Sequence, residues 1–274
     1  MFGSELRSEL TASYRWPKQD PRKEWFSVVA GLQSEETDSY DNDTVKLGLR
    51  RSMKRGGSWL ETRYVDYLSE DYRVGDEAQR SSELVIFGSN WEYTRGRDVS
   101  RTREGRRYNF DIRGASDSLG SDTSFLQVKA SAKWIHSFDD RTRLLARTRL
   151  GATWKDALAD LPASVRFFAG GDSSVRGYAY ESLGELDAQG NVVGGSHLAE
   201  LSVEIERMVR DQWAVAAFVD SGSAFNGKDP DFSTGIGLGL RWYSPVGPVR
   251  LDFAHPLDDP DKSLRIHVSL GLDL

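Results

Sequence analysis

Arginines and carboxylates are the residue types in this sequence whose spacing could do chemistry. Glu200, Ser202, Glu204 and Glu206 recur at every second position, so an extended strand would present all four on one face. Asp220 shares the parity of the small residues Ala214 and Ala216. Upstream, FFAGGDSSVRGYAYESLG (167–184) places Arg176 among Gly170, Gly171 and Gly177. Glycines allow a tight backbone path there, with the arginine held at its tip. A guanidinium in a confined space requires carboxylate partners, and its fork geometry fixes them bidentately; an isolated loop arginine is otherwise solvated. No catalytic set stands out. Cysteine is absent, which removes thiol catalysis, disulfides and thiolate metal sites. His136, His197, His255 and His267 lack ligand spacing, so no metal site, no cofactor and no enzymatic activity are expected. Gly235, Gly237 and Gly239 form G-x-G-x-G without a surrounding βαβ unit, and read as inward-facing glycines on a bending strand.

These residues need a frame, and the frame is a period-2 alternation repeated along the chain. Leu264, Ile266, Val268, Leu270, Leu272 and Leu274 fall on one face, opposite Arg265, His267, Ser269, Gly271 and Asp273. Val249, Leu251 and Phe253 alternate with Arg250, Asp252 and Ala254, and Leu126 to Trp134 alternate with Gln127, Lys129, Ser131 and Lys133. About thirteen strands are predicted: 6–16, 24–34, 43–53, 58–70, 82–95, 106–116, 124–137, 141–155, 197–209, 212–225, 232–244, 248–256 and 263–274.

The 274 residues carry a net charge of −6, with 26 glycines, eight tryptophans, ten tyrosines and eight prolines. That balance gives no basic footprint for a nucleic-acid partner. Mean hydropathy is −0.53, and no apolar run reaches the roughly 18 residues of a membrane helix. A membrane barrel needs only about 10 residues per strand, apolar on one face. The apolar faces often end in Trp or Tyr, as at an interfacial girdle, and the other faces carry both arginines and acids, as in a polar lumen. A soluble antiparallel sheet rarely sustains such a face over a dozen strands. The fold class expected is therefore an all-β, antiparallel transmembrane β-barrel in an outer membrane, one domain over 1–274. Short turns at 137–141 and 244–248 are expected on the periplasmic side. Longer polar stretches at 35–43, 70–81 and 94–105, and the acidic run 258–262, are expected outside. The longest non-strand stretch, 156–196, invites a functional role. The N-terminus, MFGSELRSEL, lacks the pattern of a secretory signal, so a removed leader or a longer parent protein is expected.

VRGY (175–178), SVEIER (202–207), FVDSGSAF (218–225) and RWYSPVGPVRLDFAHPL (241–257), in that order, resemble the BamA/TamA outer-membrane insertase superfamily, most closely its TamA type. The likeness is dense over 164–274 and looser upstream. It implies a barrel of about sixteen strands, of which 13–14 are visible here, with the first strands and the N-terminal POTRA domains not apparent. It implies that the loop carrying Val175, Arg176, Gly177 and Tyr178 folds into the lumen. There Asp220 is the wall acid matched to Arg176, and Glu204 a second. It also implies a seam between first and last strands, with Ile266, Val268, Leu270, Leu272 and Leu274 forming a terminal-strand signal. Implied partners are the lipid bilayer, nascent outer-membrane protein clients and a TamB-like inner-membrane-anchored protein. Implied function is assembly or export of outer-membrane proteins and autotransporters. A two-partner or patatin-type secretion barrel shares VRGY, and a passive porin shares the alternation.

Overall fold

A computed structural model describes residues 6–20, 22–96, 101–155, 157–244, 247–259 and 264–271. Its strands are β1 (Leu6–Pro17), β2 (Glu24–Glu36), β3 (Tyr40–Lys54), β4 (Trp59–Val74), β5 (Arg80–Arg95), β6 (Glu104–Ala115), β7 (Phe125–Ser137) and β8 (Thr142–Trp154). They continue as the short β9 (Glu185–Leu186) and β10 (Val192–Gly194), then β11 (His197–Arg210), β12 (Trp213–Phe225), β13 (Ser233–Ser244), β14 (Gly247–Pro256) and β15 (Arg265–Leu270). Thirteen of them form one antiparallel meander in chain order, β1 to β8 followed by β11 to β15; β9 and β10 pair separately. Among the described residues β1 pairs only with β2, and β15 only with β14.

Side-chain alternation explains the sheet. Leu47, Leu49, Phe110, Leu150, Leu201, Leu238, Ile266 and Val268 point outward and are exposed, while Arg143, Glu206, Arg241 and Asp220 point inward and are buried. Water would reverse that order; a hydrocarbon exterior and a packed polar interior account for it. Outward Trp16, Tyr93, Tyr108, Trp134, Trp213 and Trp242 gather toward one end, where Trp213 stacks on Trp242 at 6.1 Å and Tyr93 on Tyr108 at 5.7 Å. That is an interfacial belt.

Two expectations about the connections are corrected. The stretches 35–43 and 70–81 are mostly strand: β3 has 15 residues and β4 and β5 have 16 each. At about 3.3 Å per residue a 16-residue strand is roughly 50 Å long and, at the tilt of barrel strands, reaches about 35–40 Å along the membrane normal, beyond a bilayer core of about 30 Å. Beyond the lipid both faces can be polar, which is why the sequence resembles loop. The second correction concerns 94–105. It joins β5 to β6; residues 97–100 lie outside the described residues, while 94–96 and 101–105 lie at the same end as 138–141, the end expected to be periplasmic. Ser137 Oγ donates to the Arg103 carbonyl at 2.8 Å, and Arg101 Nη2 donates to the Arg141 carbonyl at 3.2 Å.

The inner face is not uniformly polar. Toward the loop end, Leu68, Leu84, Ile86 and Phe125 pack on Leu161 and Val165, while Tyr40, Tyr72 and Val74 pack on Ala163 and Phe168. A third cluster joins Phe167 and Ala169 to Leu198 and Ala224. The β8–β11 connection thus supplies the apolar cover for inward apolar residues. Each large side chain buried this way stabilises the docked connection by about 1.5–3 kcal/mol. Gly151 makes room for it, since a Cβ there would lie 2.4 Å from the Phe167 ring.

Candidate functional site

The β8–β11 connection descends into the sheet's concave side, and its tip is the VRGY segment. Gly170 and Gly171, at φ 104° and 97°, turn the chain through the left-handed region that glycine adopts without strain. Gly171 N–H then donates to the Val175 carbonyl at 3.2 Å, and Gly170 N–H to Ser174 Oγ at 2.8 Å. This small turn presents Arg176, which is 6% exposed.

Arg176 is fully engaged. Nε donates to Asp220 Oδ2 at 2.7 Å and Nη2 to Asp220 Oδ1 at 3.0 Å, a fork-to-fork pair. Nη1 donates to Glu204 Oε2 at 2.9 Å and to Asp252 Oδ2 at 3.1 Å. The backbone N–H of Arg176 also reaches Asp220 Oδ2, at 3.1 Å. The guanidinium carbon lies 3.4 Å from the centroid of the Phe218 ring, which adds a cation–π contact. Arg241 closes the cluster, donating to Glu204 Oε1 at 2.9 Å and Asp252 Oδ1 at 2.6 Å. Two arginines thus share three carboxylates from β11, β12 and β14, and Ser202 Oγ adds a 2.6 Å bond to Asp220. Burying charges is tolerable only when they are paired in this way.

The inward face of β11 reads as a ladder. Glu200 accepts from Arg149 Nη2 at 2.7 Å and from Ser174 of the loop. Glu204 holds Arg176 and Arg241. Glu206 accepts from Arg143 Nη2 at 3.0 Å and Arg101 Nε at 3.1 Å, while Arg143 Nη1 donates to the Thr102 carbonyl at 2.6 Å. Arg101 and Thr102 are therefore drawn under the turn end of the lumen.

The remaining motif residues have places of their own. Val175 is fully buried and fills the space above Gly222, where a Cβ would lie 2.8 Å from its Cγ2. Gly177, at φ 102°, packs against His255 and Pro256, and its N–H donates to His267 Nε2 at 3.0 Å. His267 Nδ1 meets Asp172. Tyr178 is 2% exposed, and its hydroxyl reaches Asp258 Oδ2 and the Thr234 carbonyl, each at 3.4 Å. Of the terminal-strand residues, Ile266, Val268 and Leu270 face outward on β15; Leu272 and Leu274 lie outside the described residues.

Sequence reasoning missed Asp252, Arg241, Phe218 and His267 as partners of the loop. It read Gly235, Gly237 and Gly239 as inward glycines of a bending strand, and their positions show what they are needed for. A Cβ on Gly235 would lie 1.9 Å from the Arg176 carbonyl oxygen, one on Gly237 2.3 Å from the Phe218 ring, and one on Gly239 2.1 Å from Asp252 Oδ1. The G-x-G-x-G run is the slot that receives the loop tip. Among the described residues no cluster of His, Asp and Glu has the arrangement of a metal site.

Among curated proteins, the chain is 25% identical over 275 residues to the outer membrane protein assembly factor BamA of Nitratidesulfovibrio vulgaris, covering 94% of this chain and 35% of that protein. It is 23% identical over 252 residues to the factor of the same name from Neisseria meningitidis serogroup B, covering 76% and 31%. The chain therefore spans about a third of the length of these relatives. Among solved structures, BamA from Haemophilus ducreyi lacking POTRA domains 1–3 superposes with a TM-score of 0.79 at 16% identity, covering 96% of this chain and 60% of that one. CdiB from Acinetobacter baumannii superposes with a TM-score of 0.63 at 17% identity, covering 98% and 50%. Both likenesses are of fold. The Omp85 superfamily domain matches residues 2–274, and the chain belongs to that superfamily.

Proposed function

We propose that this chain is the barrel part of an outer-membrane protein insertion or translocation factor, acting without catalysis. The observation that carries the reading is the buried Arg176 cluster. It fixes an inserted loop to β11, β12 and β14, and the neighbouring Gly177 fixes it to β15, the last described strand. A passive pore has no need to couple an internal loop to a terminal strand. An insertion factor does, because a client strand adding to a sheet edge draws on unpaired main-chain donors and acceptors there. In this reading the loop braces the lumen, and the seam lies between β1 and β15. The finer assignment is a TamA-type factor serving autotransporters and other outer-membrane clients. It would work with a TamB-like partner engaged through POTRA domains in a longer parent protein.

The test compares Arg176→Ala, Asp220→Ala and the swapped pair Arg176→Asp/Asp220→Arg for heat-modifiable migration and client insertion. Loss in the single variants with partial recovery in the swap supports the reading. Undiminished insertion by both single variants overturns it, and steady bilayer conductance unaffected by Arg176→Ala favours a porin. Co-purification of the full-length gene product with a TamB-like protein tests the finer assignment.

A further inference from the structure

The outward face of β1 to β5 is charged asymmetrically along the strands. At the loop end it carries Glu36, Asp41, Asp43, Asp71 and Glu83, with Arg73 paired to Asp41. At the turn end the order reverses. Lys18, Arg51, Arg55 and Arg63 share two carboxylates, Glu24 and Glu61. Arg51 and Arg63 are direct cross-strand neighbours on β3 and β4, a like-charge pairing that costs stability unless an anion lies between them. Each gives its Nε to a carboxylate at 2.6 Å, Arg51 to Glu24 and Arg63 to Glu61. The Nη groups of both have no hydrogen-bond partner among the described residues.

These free donors sit at the mouth of an apolar groove of about 590 Å³, walled by Trp16, Phe26, Leu49, Val65 and Phe87. The groove opens on the lipid-facing side. A second outward groove, of about 620 Å³, lies between β11 and β14 with one arginine on its rim. Ile205, Val215 and Leu238 line it, and Arg207 stands at its turn end, where Nη1 donates to Thr142 Oγ1 at 3.0 Å.

We infer that the β1–β5 groove is a binding site for an anionic glycerophospholipid of the periplasmic leaflet, its phosphate held between Arg51 and Arg63 and an acyl chain lying over Leu49, Val65 and Phe87. Charge complementarity selects the headgroup. A zwitterionic lipid brings its own cation into a patch that already has four cations for two acids, whereas a net negative headgroup answers the surplus and takes bidentate bonds from the free Nη groups. The groove supplies what a free phosphate does not use, an apolar wall for a chain.

Native mass spectrometry of the detergent-purified chain, mixed with equal amounts of phosphatidylglycerol and phosphatidylcholine, tests this. The wild type should retain phosphatidylglycerol with a preference of about tenfold, and R51Q/R63Q should bring the two lipids to parity. Val65→Trp, which fills the groove and leaves the arginines intact, should also abolish retention, so the test survives if the double variant misfolds. Arg73→Gln, at the opposite end, should retain the wild-type preference. Parity in the wild type, an undiminished preference in R51Q/R63Q, or displacement of the lipid by inorganic phosphate alone would overturn the assignment.

Discussion

The backbone N–H of Gly177 donates to Nε2 of His267 at 3.0 Å, so the tip of the inserted loop is tied to the last described strand. Because Nε2 accepts, the ring proton sits on Nδ1, where it meets the Asp172 carboxylate. One imidazole thus joins two points of the loop to β15. His267→Leu should leave the Gly177 N–H buried without an acceptor, a cost of about 1–3 kcal/mol. Hydrogen exchange at the β15 amides should accelerate by roughly tenfold or more, with β12 unchanged. Equal exchange in variant and wild type would show that β15 is held by β14 alone.

Gly235 predicts the consequence of filling the slot. With the Arg176 carbonyl oxygen 1.9 Å from where a Cβ would stand, Gly235→Ala forces the loop tip upward or the strand outward. Overpacking of this kind costs about 1–3 kcal/mol. The expected result is a lower thermal midpoint and protease cleavage within 167–184. Gly56→Ala is the control, since nothing lies within 4 Å of its Cβ position.

The parts of this fold legible in the sequence are those where physics acts at short range. Leu47 and Leu49 face lipid while Lys46 and Arg50 face inward, and that contrast is visible within five residues. Asp43 and Asp71 resemble loop residues because β3 and β4 outrun the bilayer, so the apolar half of the alternation stops before the strand does. The end to which 94–105 belongs was readable from parity, since the connection after the fifth strand must share an end with the one after the seventh. Asp252 and Arg241 were visible as inward polar residues, but nothing local names partners 76 and 37 positions away. Gly235, Gly237 and Gly239 carried the right face and lacked only the knowledge of what occupies the space above them.

Arg176 and Asp220 should not tolerate a conservative exchange. Arg176→Lys keeps the charge, but an ammonium cannot reproduce the planar fork that engages Asp220 twice while also reaching Glu204 and Asp252. Leaving a carboxylate of the cluster under-paired in a buried site costs roughly 3–5 kcal/mol. Heat-modifiable migration should show the folded form of Arg176→Lys disappearing at a lower temperature than wild type, close to that of Arg176→Ala. A lysine variant as stable as wild type would mean that net charge alone holds the loop.

Glu181 gives the far side of the same loop a dependence on pH. It stands at φ 52°, its carbonyl accepts from Ser39 Oγ at 2.8 Å, and its carboxylate accepts from the Tyr40 hydroxyl. Burial raises its pKa above the ordinary carboxylate value; the Tyr40 hydrogen bond and Arg149 oppose the rise, and the negative charge of Glu35 adds to it. A carboxyl whose folded pKa exceeds its unfolded one binds its proton more tightly when docked. Its contribution to docking is fully present below the unfolded pKa and is lost as pH rises through the folded one. Glu181→Gln mimics the protonated form at every pH and keeps a carbonyl acceptor for Tyr40. The variant should therefore melt higher than wild type at neutral pH, and the gap should close as pH falls toward the ordinary glutamate range. Using the difference between the two proteins cancels the response of every other group, which both retain. A gap that stays constant or widens on acidification would mean that Glu181 is charged when docked and that the β2–β3 turn holds the loop by other contacts.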